Sequence, residues 1–324
     1  MMHLENDIYY KNDYIALYLK EDEEIFDFKY QEDNKIFINK SIKRPIKKIG
    51  NTVLDDEYYD LETAYGYGGF YCNSDDKSFI KEAMNEYENR CKNENIIAEF
   101  IRFHPFNYFP LQNANLFDFN IEDRDVIVKK LDDNIMNSYN SKVRNMVKRA
   151  LEKIEISKSN DIETFQKIYN ETMQKNNASD FYYFDNEYYQ NLINNKDIEL
   201  YQCVYDDKIV AMAFFMFGND IAHYHLSANT ELSYKLNSNY ALLHYMFEIA
   251  KDRGIDYFLL GGGSTSNEDD PLFKFKKKFS KETKPFFISG KIYNQDVYNE
   301  YNKIWQEQSN EDIKYFLKYR LEVL

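Results

Sequence analysis

The sequence predicts an α/β (α+β) protein of two similar halves, with mixed, mostly antiparallel sheets flanked by helices. Three observations carry this. From Asn134 onward the chain reads as strand, two helices, three antiparallel strands, helix, strand, helix, strand. The loop, helix and strand rhythm of "YGYGGFYCNSDDKSFIKEAMNEYENRCKNENIIAEFIRF" returns in "KLNSNYALLHYMFEIAKDRGIDYFLLGGG", as an internal duplication would produce. And 324 residues with 44% hydrophobic and 17% aromatic content supply core for one large or two ordinary domains. The expected boundaries are 1–133 and 134–324.

In the first half "DYIALYLK", "EIFDFKY" and "NKIFINK" read as strands, rich in β-formers and separated by Asp, Glu and Asn. A helix is expected from Lys77 to Lys92, with Asp75, Asp76 or Ser78 as its cap and Phe79, Ala83, Met84 and Tyr87 at helical spacing. "IIAEFIRFHPF" is a strand that ends at Pro105. "NLFDFN" and "DVIVKKL" are expected as two further strands.

The second half opens with an amphipathic helix. Val143, Val147, Ala150, Leu151 and Ile154 share one face, and Arg144, Lys148, Arg149 and Lys153 point away from it. "EISKS" follows as a short strand, then helices over "DIETFQKIYNETMQKNN" and "DNEYYQNLINN". "IELYQCVY", the turn "DDK" and "IVAMAFFMFG" form a hairpin, and "IAHYHLSAN" a third antiparallel strand. The next helix has Ser238 as expected N-cap and Gly254 as its stop. "DYFLLGGG", a short helix at "PLFKFKKKF", the strand "KPFFISGKIY" and a C-terminal helix complete the chain.

Composition narrows the function. A net charge of −14 opposes a broad nucleic-acid face and argues against DNA as a partner, while leaving room for a local basic patch such as the 144–153 face. Cys72, Cys91 and Cys203 have neither metal-ligand nor disulfide spacing. No run approaches the roughly 20 apolar residues of a membrane helix, and the acidic, mixed N-terminus is unlike a signal peptide. A cytoplasmic protein with at most peripheral membrane contact is the expectation.

Gly261, Gly262 and Gly263 look like a phosphate cradle, but no Gly-Lys-Ser/Thr follows and "NEDD" would repel a phosphate. Gly-x-Gly-x-x-Gly is absent as well. They read instead as a strand end at which another group comes close. His223 and His225 alternate on one strand and so face one side; they could act as a base or bind substrate, or be two tolerated strand histidines. No third ligand has metal spacing, so no metal site is expected. Glu99 and Arg102 read as a strand edge that could bind substrate. Tyr65, Tyr67 and Tyr71, with Gly68 and Gly69, offer rings and flexible backbone to a sugar or peptide.

The order of elements resembles the Gcn5-related N-acetyltransferase (GNAT) fold, where the third antiparallel strand splays from the strand that follows the next helix and the acyl donor lies in the splay. "YGYGGFYCN", "EFIRFHPF", "KVRNMVKRALEK", "HYHLSAN", "KLNSNYALLHYMFEIAKDRG" and "LLGGGSTSNEDDPLFKFKKKFS" together resemble the FemABX-like proteins, from about Thr63 to Ser280. The resemblance implies two GNAT-like halves. It also implies transfer of an acyl or aminoacyl group onto an amine of a cell-envelope precursor (peptidoglycan or surface polysaccharide). No cofactor is then bound permanently. Aminoacyl-tRNA or acyl-CoA is the co-substrate, and the tRNA acceptor end is a candidate partner. An acyl-CoA-dependent N-acyltransferase of an amino sugar, or a module that only binds a precursor, stays open beside it.

Matching Phe-Lys-x-x-Phe to the family's motif implies that Lys276, beside Phe275, stabilises the oxyanion of acyl transfer, with Lys278 where relatives often carry Gly. Phe275 and Phe279, four apart, face inward together, and Lys277 and Lys278 read as solvated. CoA-binding GNAT proteins carry Arg/Gln-x-x-Gly-x-Gly/Ala ahead of the helix. Here Lys235, Leu236, Asn237, Ser238, Asn239 and Tyr240 stand there without a glycine. The helix start remains an anion site, which assigns donor binding to Lys235, Asn237, Ser238 and Asn239, with Gly261–Gly263 beside the acyl group.

Overall fold

The computed structural model of the protein describes residues 2–132, 134–176 and 183–323. Packing divides the chain into two compact units. One comprises Met1–Glu5, Tyr9–Asp123 and Pro285–Leu324, and the other Asn6–Ile8 and Arg124–Lys284. In chain order the strands are β1 (Glu24–Glu32), β2 (Lys35–Pro45), β3 (Lys48–Ile49), β4 (Thr52–Val53), β5 (Tyr59–Glu62), β6 (Tyr71–Cys72), β7 (Ile96–Arg102), β8 (Phe119–Lys130), β9 (Glu155–Ser159), β10 (Ile198–Tyr205), β11 (Lys208–Phe217), β12 (Ile221–Asn229), β13 (Tyr257–Gly261) and β14 (Thr283–Ile292). The helices are α1 (Asn12–Ile15), α2 (Lys77–Asn93), α3 (Phe109–Gln112), α4 (Ser141–Leu151), α5 (Ile162–Lys175), α6 (Asn186–Asn194), α7 (Glu231–Leu236), α8 (Ser238–Asp252), α9 (Pro271–Lys276) and α10 (Gln295–Gln308).

The first unit orders its strands β1-β2-β5-β7-β14. All neighbours are antiparallel except β5 and β7. Helix α2 starts where Asp76 accepts from the Ser78 and Phe79 N–H groups, and lays Phe79, Ala83, Met84 and Tyr87 against Phe26, Phe37, Phe70 and Ile101. The second unit orders its strands β8-β13-β12-β11-β10-β9, antiparallel except for β12 and β13. Each unit thus contains a helix crossover between parallel strands inside an otherwise antiparallel sheet, which agrees with the expected repeat.

Four local expectations need correction. The strand expected over residues 13–20 is instead α1 and a 3-10 turn that ends at Tyr18. Tyr14 and Tyr18, one turn apart, bring their hydroxyls to 3.2 Å, and Tyr14 and Ile15 are buried from that geometry. Of the strand expected over residues 115–120 only Phe119 and Asn120 are extended, and they open β8, which runs through the polar residues 121–125 to Lys130; Ala114–Leu116 is a 3-10 turn. Leu151 lies 38% exposed, at the last turn of α4, where the helix leaves the core. The helix expected through Asn177 is α5 up to Lys175, with Asp161 as its cap; Asn177 itself lies outside the described residues.

Candidate active site

The second unit holds the residues around which the site is built. Strands β12 and β13 pair only at Ile221↔Tyr257, Ala222↔Phe258 and His223↔Leu259, while β12 runs on to Asn229. The two strands therefore part beyond His223. A β-bulge helps. Ala213 faces Ser227 and Phe215 faces Tyr224, so two residues of β12 oppose Phe214 alone, which bends the bulged strand.

Strand β13 ends at Gly261, held at φ +78°, where a side chain would be strained. The carbonyl of Gly262 accepts a 2.7 Å hydrogen bond from Lys276 Nζ. A Cβ on Gly263 would lie 2.7 Å from the carboxyl carbon of Asp270, so glycine lets Asp270 close over the strand end. Asp270 caps α9, accepting from the Leu272 and Phe273 N–H groups at 2.8 and 3.0 Å and from Thr265 N–H at 3.1 Å. Burial pushes its carboxyl up, but these backbone donors outweigh that and hold it below the usual range. With Asp269 paired to Lys274 at 2.7 Å, the acidic loop folds the α9 turn rather than repelling a ligand.

Helix α9 buries Lys276 to 8% exposure. Burial pushes its ammonium down to about 7, and the Asp270 charge only partly opposes this. Lys276 makes no ion pair among the described residues, so its amine is held by one carbonyl. Phe275 packs edge-on to Phe279 at 5.4 Å and to Tyr240 at 5.2 Å, the inward pairing that spacing predicts. Lys277 is exposed. Lys278 is not simply solvated: its Nζ donates to the Tyr240 hydroxyl at 2.9 Å, which brings a charge to the first turn of α8.

The expected donor loop is partly helix. Thr230 caps α7, and Asn237 then turns left-handed at φ 58°, its N–H bonded back to the Ser233 and Tyr234 carbonyls. Ser238 is the first residue of α8, not its cap; Asn237 takes the cap position without a side-chain bond. Ser238 is fully buried, and its hydroxyl has no partner among the described residues. Lys235 is exposed and Asn239 half-buried.

The histidines of β12 have separate partners. His223 is buried against Asp7, Nε2 to Oδ2 at 2.9 Å, and a Cβ on Gly218 would lie 3.2 Å from that carboxylate. His225 sits in the bulge, 3.1 Å from the Tyr188 hydroxyl. Burial, then His223, push it down to about 3, so it stays neutral and is a poor base. The bulge also breaks the simple alternation expected of the pair.

In the first unit Glu99 is no strand edge, since β7 lies between β5 and β14. The carboxylate is fully buried. One oxygen accepts from Asn39 at 2.7 Å and Ser41 at 2.8 Å, the other from Tyr87 at 2.8 Å and Tyr293 at 2.7 Å. Arg102 is likewise engaged, by Glu62 at 2.5 Å and the Thr63 carbonyl at 3.0 Å. Gly68 and Gly69 are buried rather than flexible. The Gly68 carbonyl accepts from Tyr10 and from His104 N–H, and a Cβ on Gly69 would meet the Phe103 ring at 2.6 Å. Tyr65 stacks on Tyr18 at 5.7 Å, and Tyr67 meets Phe286 at 5.2 Å; both are half-buried.

Asp270 was not singled out from sequence, and Tyr240 and Lys278, though named there, were given no part in the site. For Asp270 a signal exists: Asp followed by Pro at the first helical position is a helix start. Nothing local foretells the Lys278–Tyr240 bond.

Residues 138–277 match the family described as Acetyltransferase (GNAT) domain. No curated protein matches the chain. FemX matches in structure with a TM-score of 0.69 at 15% identity, covering 89% of this chain and 93% of FemX. L-PGS from Bacillus licheniformis matches at 0.55 and 12% identity, over 90% of each chain. A conserved protein of unknown function from Bacteroides thetaiotaomicron matches at 0.53 and 14%, over 86% and 89%. The splayed strands and the family match together place an acetyltransferase (GNAT) domain over residues 138–277. More particularly, the chain has the FemABX-like tandem GNAT fold seen in FemX. No helix among the described residues is long and apolar enough to cross a membrane.

Proposed function

We propose that the protein transfers an aminoacyl group from aminoacyl-tRNA to an amine of a cell-envelope precursor, with Lys276 as the oxyanion-stabilising group. The observation that carries this is the buried Lys276 amine, fixed on the Gly262 carbonyl at 2.7 Å beside the splayed strands. The acceptor nitrogen attacks the ester carbonyl carbon, and the carbonyl oxygen becomes an oxyanion. Protonated Lys276 donates a hydrogen bond to it. The C–O bond then breaks, the amide remains, and the proton lost by nitrogen passes to the departing ribose oxygen or to water. A well-placed donor in such a site is worth on the order of 3 kcal/mol. Lys276→Ala should therefore lower kcat about a hundredfold with the fold intact; unchanged turnover removes Lys276 from the mechanism.

The donor assignment rests on the α8 start. The Asn237 N–H is already engaged with α7, and no glycine widens the turn, which disfavours a diphosphate bound as in CoA-type relatives. The first N–H groups of α8, with Lys235 and Lys278, suit a single phosphate. The acceptor face is assigned to Tyr65 and Tyr67, whose half-buried rings suit a sugar or peptide. A second reading, acyl-CoA-dependent N-acylation of an amino sugar, is favoured by the net charge of −14, which repels RNA overall. Parallel transfer assays with charged tRNA and with acetyl-CoA separate the two. Binding of a precursor without product from either donor would leave only a recognition module.

A further inference from the structure

Helix α4 buries Val143, Val147 and Ala150 and leaves Lys142, Lys148 and Arg149 exposed, with Lys153 exposed just past its end. None of these four side chains makes an ion pair or hydrogen bond among the described residues. Some exposed lysines of the same unit are paired, Lys158 with Glu199, Lys175 with Glu231 and Lys274 with Asp269, whereas the α4 face gathers four exposed basic side chains within twelve residues, with Glu152 the one acidic residue among them. Within a chain of net charge −14, this face is a local basic ridge open to an external anion.

The ridge is linear. From Lys142 to Lys153 it extends about 16 Å at the helical rise of 1.5 Å per residue. A nucleic-acid strand carries a phosphate per roughly 3.4 Å of duplex axis, so the ridge faces about five of them. It also starts beside the candidate site. Tyr139, just ahead of the Asn140 cap, contacts the Phe279 ring at 5.8 Å, and Phe279 contacts Tyr240 of the first α8 turn at 5.4 Å. A bilayer suits the face less well. A membrane-surface helix buries its apolar side in lipid, whereas that side of α4 lies in the protein core.

We infer that α4 is a docking surface for the phosphodiester backbone of an RNA whose acylated end reaches the start of α8. The inference rests on the donor reading above but is tested apart from it. Binding of uncharged tRNA is measured for the wild type and for the variant combining Lys142→Glu, Lys148→Glu, Arg149→Glu and Lys153→Glu. Four single-strand-type phosphate contacts predict a wild-type affinity about fiftyfold weaker at 200 than at 50 mM salt. The variant should bind at least fiftyfold more weakly at 50 mM, lose most of that salt dependence, keep its melting temperature, and raise KM for charged tRNA without changing kcat. Unchanged tRNA binding by the variant overturns the inference. So does wild-type binding of phosphatidylglycerol vesicles, lost in the variant, with tRNA binding unaffected. Turnover of acetyl-CoA but not charged tRNA by the wild type overturns the donor reading instead, while α4-dependent tRNA binding would still stand.

Discussion

Lys276 Nζ lies 2.7 Å from the Gly262 carbonyl oxygen, so the lysine of the acidic-to-basic loop is anchored on the glycine run that precedes it. Burial brings its ammonium down to about 7, and this sets the first prediction. If the charged form stabilises the oxyanion, kcat/KM must fall as pH rises through about 7, because the active form is the protonated one. Deprotonation of the acceptor amine contributes a separate rising limb. Lys276→Arg, which stays charged, should abolish the falling limb near 7. A limb that rises through 7 and disappears in Lys276→Arg would make Lys276 a base.

The same burial has a stability consequence. The ordinary lysine value is 10.5 and the folded value about 7, so between them the unfolded chain binds more protons and stability rises with pH. Below about 7 both states are protonated and the penalty is full, on the order of 4 kcal/mol. Lys276→Met should therefore turn over about a hundredfold more slowly yet be more stable than wild type at pH 6, with the gain shrinking towards pH 10. Denaturant unfolding at both pH values measures this; an equal gain at each would contradict it.

Gly263→Ala should disrupt α9. The new Cβ would lie 2.7 Å from the Asp270 carboxyl, displacing a cap worth about 1 kcal/mol and moving Lys276. Stability should drop by about 1–3 kcal/mol, with a fall in kcat. Gly254→Ala is the comparison: φ is +77° but nothing lies within 4 Å of the added atom. It should lose about 1–2 kcal/mol from backbone strain alone and keep its activity.

Tyr87→Phe or Tyr293→Phe removes one donor from the buried Glu99 carboxylate. A hydrogen bond to a charged group contributes about 1.5–3 kcal/mol, and melting should show a loss of that order. KM for the acceptor should not move, because Glu99 is enclosed. A raised KM at unchanged stability would return Glu99 to the substrate.

Much of this was legible in the chain. Helix α2 with its Asp76 cap, the 198–229 strands and the inward Phe275–Phe279 pair follow from periodicity and capping chemistry, which act over a few residues. Residues 13–20 and the start of α8 were not legible. β-formers were overridden by tyrosine packing in one, and a left-handed Asn237 stood in for a glycine in the other. Glu99 and Arg102 read as the polar edge of a strand, and only the strands placed on both sides of β7 show that they are enclosed.

The sequence by itself determined the order of elements, the amphipathic α4 and the presence of Lys276 in its motif, because these depend on local spacing. Tertiary structure alone decided that the C-terminal segment packs with the first unit. It also decided that Asp270 caps α9 and that Lys276 is buried far enough to sit near neutrality. Burial and long-range hydrogen bonding depend on which distant residues meet, and no window of sequence contains that information.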